Sequence, residues 1–587
     1  MKKAFLAALF ILFIGSAVGQ YYLRGEIKNE RGTLLEGVLI QLNSKGLNPF
    51  YSGNSGAFGI PSNQIYDTIT LQLNGYEILK ASIDTRKMQS FVLQMLPSTA
   101  NQFKKKLNSI TKNLNKTSNS FMNLGESYSS HVENEFIDAK QFPETGLALN
   151  IDHASYSNIR RFINNQMPVP TDAVRIEEML NYFNLNKDSS NNARPFFSCN
   201  TALTTCPWNE HSQLFFTSIA APKLNLDSIA PSNLVFLIDI SGSMDKPNRL
   251  PLLQAAFKLL VENLREKDTV SLVTYGGGVD IRLYGVSGKE KTKINQAIDS
   301  LEAGGDTPGT DAIRIAYATA KRFFMRKGNN RVIIATDGDF NVGEVSEKAM
   351  EDLIGTYRLS GIYLTCLGVG MGNYKDSKLE LLSKKGNGNF AYLDNLQEAE
   401  KVLVTELTQT IYSVANDAYL SINFNPTRVS TYRLIGFDNK KDALSDSTTQ
   451  MEGGEVGTGH HMLAVFEITP TKQDSISEIS STLASIQINY KIPQTQQLIK
   501  QVFEAKNQVI DINTANSNYQ FGTAVCMFGT LLKNSKFKSK INYDQILQLA
   551  SSSYQPTDKF QKEFLVLVEK SKQLNAPSKK KKNALNN

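Results

Sequence analysis

Between Leu234 and Ile411 the sequence alternates between short apolar runs and longer stretches with helical spacing, with a second strand, "VDIRLY", directly after "TVSLVTY" and a second helix, "KINQAIDSL", directly before "DAIRIAYATAKRFF". "LVFLID" (234–239), "TVSLVTY" (269–275), "RVIIATDGD" (331–339), "IYLTCLGVG" (362–370) and "NFAYLD" (389–394) read as strands. Between them, "RLPLLQAAFKLLVENLREKD" places Leu253, Phe257, Leu260 and Leu264 on one helical face. "DAIRIAYATAKRFF", "SEKAMEDLIGTYRLSG" and "SKLELLSKKG" repeat the helical pattern, and "LQEAEKVLVTELTQTI" reads as a closing helix. A parallel connection needs a crossover of about a dozen residues or more, usually a helix, so this pattern predicts a doubly wound, mostly parallel sheet covered on both faces.

The flanks are different. "LFFTSIAA" precedes the alternating unit, and "AYLSINFNP", "RVSTYRLIGF", "HHMLAVFEI" and "LASIQINYKI" follow it, all strand-like. The expectation is that residues about 140–230 pair with residues 413–500 in one β-sandwich, into which the α/β unit is inserted. A helical end runs from Tyr519 to Leu574. Near the start, "GVLIQL", "GAFGI" and "DTITLQL" alternate with turn residues, which predicts a small all-β sandwich over 20–97. Residues 98–133, rich in Asn, Ser and Lys, read as a linker, and 575–587, with Lys579–Lys582, as a basic disordered tail. The full division is 1–19 signal peptide, 20–97 sandwich, 98–133 linker, 134–230 N-terminal flank, 231–412 α/β unit, 413–574 C-terminal flank, β then helical, and 575–587 tail.

The opening "MKKAFLAALFILFIGSAVGQ" has two lysines, an apolar run and small residues, the layout of an export signal cleaved after Gly19. A periplasmic, cell-envelope or secreted protein is expected, with no transmembrane segment after cleavage. The 63 basic and 56 acidic residues leave a charge of +7, small for 587 residues and without a basic stripe, so nucleic acid is excluded as the expected partner. Cys199 and Cys206 either pair in an oxidising compartment or stand as two thiols; Cys366 and Cys526 sit in apolar runs and read as core. The five histidines lack metalloprotease spacing, and His460-His461, opening a strand, are expected on opposite faces.

In a doubly wound sheet, ligands bind beyond the carboxyl ends of the strands. "LIDISGSM" ends a buried strand at Asp239 and puts Ser241 and Ser243 in the following loop. "AGGDTPGTD" presents Thr307 before a helix, and "IIATDGD" ends a central strand at Asp337. Capping or turn formation explains one such loop; three loops converging on one rim point to a metal. The five side chains offer only carboxylate and hydroxyl oxygens, a donor set for a hard divalent cation: Mg2+ first, with Mn2+ and Ca2+ as alternatives. Two carboxylates balance the ion's charge, leaving a coordination position for an incoming acidic group.

Asp239, Ser241, Ser243, Thr307 and Asp337, in that order along strands and helices, resemble the metal-ion-dependent adhesion site of von Willebrand factor type A (VWA) domains. The resemblance covers 234–412 and implies a Rossmann-like fold and a protein partner presenting an acidic side chain. Asp306 departs from the pattern, standing where the family usually has Ser or Gly before the threonine. "IDHASYSNIRRF", "AVRIEEMLNYF", "FNPTRVSTYRLIGF" and "FGTAVCMFGTLLKNSKF" resemble the flanks of a bacterial exported subfamily carrying this domain. "GTLLEGVLIQL" and "GNSGAFGI" resemble the carboxypeptidase-regulatory-like domain, a seven-stranded sandwich without chemistry of its own. The resulting expectation is a metal-dependent adhesion or interaction protein, not an enzyme. The rivals are a scaffold whose metal only stabilises the fold, and a metal-dependent hydrolase.

Overall fold

The computed structural model describes residues 21–94, 126–185, 197–223, 230–305, 309–338, 347–371, 374–406, 413–440, 454–471 and 482–576, apart from isolated breaks of one or two residues. The expected signal segment, most of the linker, the lysine run, Asp306 and Thr307 lie outside these residues. The chain divides into two compact units, the first represented by 21–94 and the second by the residues from 126 on.

The first unit is two sheets on one core. Ala57–Ser62, Tyr21–Asn29 and Gln89–Leu93 form one sheet; Phe50–Tyr51, Leu39–Leu42, Tyr66–Gln72 and Leu79–Asp84 form the other. Alternate residues such as Leu23 and Ile27, Ile40 and Leu42, and Ile69 and Leu71 point inward, as a period of two dictates.

In the second unit the flanks on either side of the α/β segment build common sheets. Glu144–Ala148 pairs antiparallel with Ser413–Phe424, Leu147 opposite Leu420. Gln213–Ala220 pairs antiparallel with His461–Pro470, Phe215 opposite Phe466. The sandwich core therefore contains Leu147, Phe215 and Ile219 from before the insertion and Ile422, Phe424 and Ile486 from after it. The outer face of the second sheet carries Leu214, Phe216 and Val465, covered by helices Ala154–Asn164 and Ile176–Tyr182 from one flank and Ser517–Leu532, Tyr543–Ser553 and Lys559–Leu574 from the other.

The inserted sheet runs Val279–Ser287, Thr269–Tyr275, Ser232–Asp239, Asn329–Thr336, Ile362–Val369, Phe390–Leu393. All pairs are parallel except the edge hairpin Thr269–Tyr275/Val279–Ser287, which turns through Gly276–Gly278. Every residue of Ser232–Asp239 is buried. Leu234, Phe236 and Ile238 pack under helices Leu250–Glu262 and Lys291–Asp299, while Val235 and Leu237 face Ile313, Ala316 and Tyr317 of helix Gly309–Arg322. Burial on both faces explains why this strand reads as one continuous apolar run.

Three expectations change and one open alternative is decided. The linker stops short of Glu126, whose buried carboxylate pairs with Arg161 at 2.8 Å, and His131–Val132 already forms a strand with Asn439–Lys440. "DAVRIEEML", whose acidic start and apolar spacing read as a helix from Asp172, becomes helical only at Ile176, because Thr171–Ala173 is a 3-10 turn and Val174 and Arg175 are extended. The closing helix becomes a π-turn at Lys401–Thr405, where the i to i+5 spacing brings Lys401 Nζ to 2.8 Å from Glu406. Cys199 and Cys206 are both free thiols: one lies within strand Ser198–Thr205 and the other beyond its end, and seven residues of extended chain span about 23 Å, far past disulfide reach.

Buried arginines clasp the inserted unit to its flanks. Arg160, 1% exposed, donates to Asp394 at 2.7 Å, Glu398 at 2.7 Å and Glu563 at 3.0 Å, joining both flanks to the α/β segment. Arg175 reaches Asp376 at 2.6 Å, and Arg331 reaches Glu455 at 3.1 Å. Removing the cation from such a cluster strands buried carboxylates. Arg160→Leu is expected to cost about 3–5 kcal/mol, measured by denaturant unfolding; a loss below about 1 kcal/mol, the worth of a surface pair, would mean the clasp is dispensable.

Candidate metal centre

The central strand Ser232–Asp239 and its neighbour Asn329–Thr336 run parallel, with Ile238 opposite Ala335. Their carboxyl ends therefore deliver Asp239 and Asp337 side by side, at the edge where doubly wound sheets bind ligands. Both carboxylates are buried, at 0% and 1% exposure. Ser241 is half-buried and Ser243 exposed, so the hydroxyls form the solvent side of the rim.

Four of the five expected side chains form one linked set. Asp239 Oδ1 accepts the Ser241 amide at 2.9 Å. The Ser241 and Ser243 hydroxyls lie 3.2 Å apart, and Ser243 donates to Asp337 Oδ2 at 2.8 Å. Thr307 lies outside the described residues, but the loop leading to it reaches this rim: Gly304 N–H donates to the Ile240 carbonyl at 2.7 Å, and Gly242 N–H to the Gly305 carbonyl at 3.1 Å. The loops can approach this closely because of glycine. A Cβ on Gly305, whose φ is +81°, would lie 2.4 Å from the Gly276 carbonyl oxygen; one on Gly276 would lie 2.7 Å from the Ile240 backbone.

Three neighbours were not legible as site residues. Asp239 Oδ2 accepts the Thr336 hydroxyl at 2.8 Å and the Tyr275 hydroxyl at 3.1 Å. Burial pushes the Asp239 carboxyl above the ordinary range and Asp337 adds to this, against hydrogen bonds from Ser241 and Thr336. Burial and the charge of Asp239 hold the Tyr275 phenol protonated, suited to donate. The third is Arg249, 4% exposed, whose guanidinium donates to Asp337 Oδ2, to the Ser243 carbonyl and, at 2.7 Å, to the Met371 carbonyl. The expectation that two carboxylates alone set the charge of the rim is thus corrected: Arg249 adds a fixed positive charge. A buried cation on a carboxylate was the one signal available, and sequence spacing does not reveal it.

The donor set fits a hard divalent cation. Its atoms are carboxylate and hydroxyl oxygens, converging from two strand ends and one loop. Among the described residues no group of three or more His, Cys, Asp or Glu side chains is arranged to hold a metal, so any metal at the rim needs the serines as ligands.

A separate cavity of about 390 Å3 lies where the helices, the sandwich and the π-turn meet, lined by His153, Tyr182, Lys401, Glu406, His460 and His461 among others. His460, in the turn before the strand with its N–H bonded to the Gly457 carbonyl, and His461, the strand's first residue, both border this cavity. Burial pushes the His460 imidazole down to about 4. Burial pushes Glu406 up, but Lys401 and His153 outweigh it and hold the carboxyl well below its usual range.

Comparison with known proteins agrees with this geometry. Residues 233–405 match the von Willebrand factor type A domain model, 123–215 match a von Willebrand factor model, and 409–574 match the C-terminal model of the uncharacterized protein YfbK. Inter-alpha-trypsin inhibitor heavy chain H2 of Homo sapiens is 24% identical over 289 residues, 47% of this chain and 28% of that protein. The magnesium-chelatase 67 kDa subunit of Chlorobaculum tepidum is 25% identical over 238 residues, 35% of this chain and 38% of that one. This chain thus spans about a third of the length of either. The YfbK protein of Escherichia coli K12 is 35% identical over 470 residues, which cover 75% of this chain and 80% of that one. A likeness of that extent, running through both flanks and the inserted sheet, makes the chain a member of the YfbK family, with a von Willebrand factor type A domain at its centre.

Proposed function

We propose that this chain is an exported interaction protein that binds a protein partner through a divalent cation held by Asp239, Ser241, Ser243, Thr307 and Asp337. The observation that carries this reading is the linked set of two buried carboxylates and two surface hydroxyls at the carboxyl edge of the sheet. Membership of a family built around a VWA domain supports a binding role.

The chain's own residues divide the work. Asp239 anchors, because its oxygens are already oriented by the Ser241 amide, Thr336 and Tyr275. Ser241 and Ser243 present neutral oxygens toward solvent, and Thr307 adds a third from the neighbouring loop. When bound, the cation supplies an electrophilic position for one incoming oxygen. A carboxylate of the partner suits that position by charge and by hardness. Mg2+ is the first choice, with Mn2+ and Ca2+ accepted by the same donors.

Binding is favoured over catalysis because the hydrogen bonds on Asp239 hold a carboxylate in place instead of readying it to move a proton. The scaffold and hydrolase readings remain as the rivals to be tested. The lysines, apolar run and small residues of "MKKAFLAALFILFIGSAVGQ" support export. Among the described residues no helix is long and apolar enough to cross a membrane. The 21–94 unit is taken as a carboxypeptidase-regulatory-like accessory domain without a part in the metal site.

Asp239→Ala is expected to abolish Mg2+ and Mn2+ binding in calorimetry while the fold persists; undiminished affinity in a folded variant would remove the site. In pull-downs from an envelope fraction, partners held by wild type should be released by EDTA and missed by Asp337→Ala, with moderate salt having less effect than chelation. Identical partners in all three cases would move the binding surface elsewhere.

A further inference from the structure

Arg249 is built into the rim more firmly than a chance neighbour would be. It immediately precedes helix Leu250–Glu262, and its carbonyl accepts the Leu253 amide at 3.0 Å, so its backbone is fixed by the first helical turn. Its guanidinium is buried and spans three segments: Ser243 in the first rim loop, Asp337 at the second strand end, and Met371 beyond the third strand. The space it fills is kept open by Gly370, whose φ is +75° and where a Cβ would come within 2.5 Å of Arg249 Nε. Any side chain at 370 would push the guanidinium off Asp337.

We propose that Arg249 is a tethered second cation that makes metal binding and carboxylate binding at the rim depend on each other. This rests on the metal reading above and adds to it. Among the described residues, Asp239, Asp337 and Arg249 leave the bare rim with a single net negative charge. Arg249 therefore opposes entry of a divalent ion, because it repels the ion and already occupies Asp337 Oδ2. With the ion bound, the rim carries one net positive charge, where two carboxylates alone would leave it neutral. An anionic oxygen is then attracted by a charge that only the loaded rim presents. By linkage, the anion must tighten metal binding by the same factor. The ligand class that follows is a carboxylate, whose single negative charge restores neutrality; a neutral carbonyl or hydroxyl does not.

The test uses the full chain, Mn2+ followed by loss of its free-ion electron paramagnetic resonance signal, and acetate as the probe anion against chloride at equal ionic strength. Wild type should bind Mn2+ about tenfold more tightly with saturating acetate than with chloride, within the usual range of coupling between sites. Arg249→Gln should bind Mn2+ about tenfold more tightly than wild type in chloride, and acetate should then change its affinity by a clearly smaller factor than in wild type, direct coordination alone remaining. Arg249→Lys keeps the charge and should keep the acetate effect. Equal Mn2+ affinity of wild type and folded Arg249→Gln in chloride would overturn the proposal, as would an acetate effect undiminished by the loss of charge. Absence of an acetate effect in wild type overturns it without any variant. Failure of wild type to bind Mn2+ in either salt would instead remove the metal reading on which the proposal stands.

Discussion

A carboxylate buried at the end of the central strand is the constraint around which the α/β unit is arranged. Asp239 is fully enclosed and needs partners for its oxygens, since an unsatisfied buried charge costs several kcal/mol. It takes an amide from its own loop, a hydroxyl from the next strand and a phenol from the strand on the other side. The two hydroxyl bonds tie the central strand to both neighbours at the same edge. The glycines at 276 and 305 then let the loops close over it without a side chain between them. An apolar residue at 239 would satisfy the sheet and require none of this, so the position is a cost to stability that a ligand-binding role explains.

The position of this rim relative to the rest of the second unit follows from how the α/β segment is inserted. Both flanks contribute strands to one sandwich and helices to one cover, and the inserted unit is held by charges as well as by apolar packing. Arg160 draws on Asp394 and Glu398 of the insertion and on Glu563 of the last helix, Arg175 on Asp376, and Arg331 on Glu455. Asp376 and Asp394 follow the carboxyl ends of sheet strands, the edge that also carries Asp239 and Asp337, whereas Arg331 lies near the start of its strand. The rim itself is bordered by loops with small residues and the exposed Ser243, which leaves its hydroxyl side facing solvent.

Periodicity made most of this fold readable. A strand such as Ser232–Asp239, buried on both faces, is continuously apolar, and its helices repeat at 3.6 residues. Candidate ligands were readable because carboxylates and hydroxyls follow two apolar strand ends, at Asp239 and Asp337, and one glycine-rich loop before a helix. Arg249 was not, because its role depends on a guanidinium crossing from one loop to the end of a strand 88 residues later in sequence. The same holds for Tyr275, which reads as the last apolar residue of a strand until its hydroxyl is seen on Asp239. Helix boundaries moved where long-range charge pairs set the backbone, as at Arg175, and where the i to i+5 contact of Lys401 with Glu406 favours a π-turn. Local spacing carries no record of such contacts.

Central to the account is a divalent cation at the Asp239–Ser241–Ser243 rim. The most direct measurement is the anomalous difference map of crystals grown with Mn2+. A peak within coordination distance of the Ser241 and Ser243 hydroxyls and the Asp239 carboxylate is the predicted result, and it should vanish in Asp239→Ala crystals grown the same way. A fully occupied Mn2+ elsewhere in the chain, with no density between those three side chains, would contradict it.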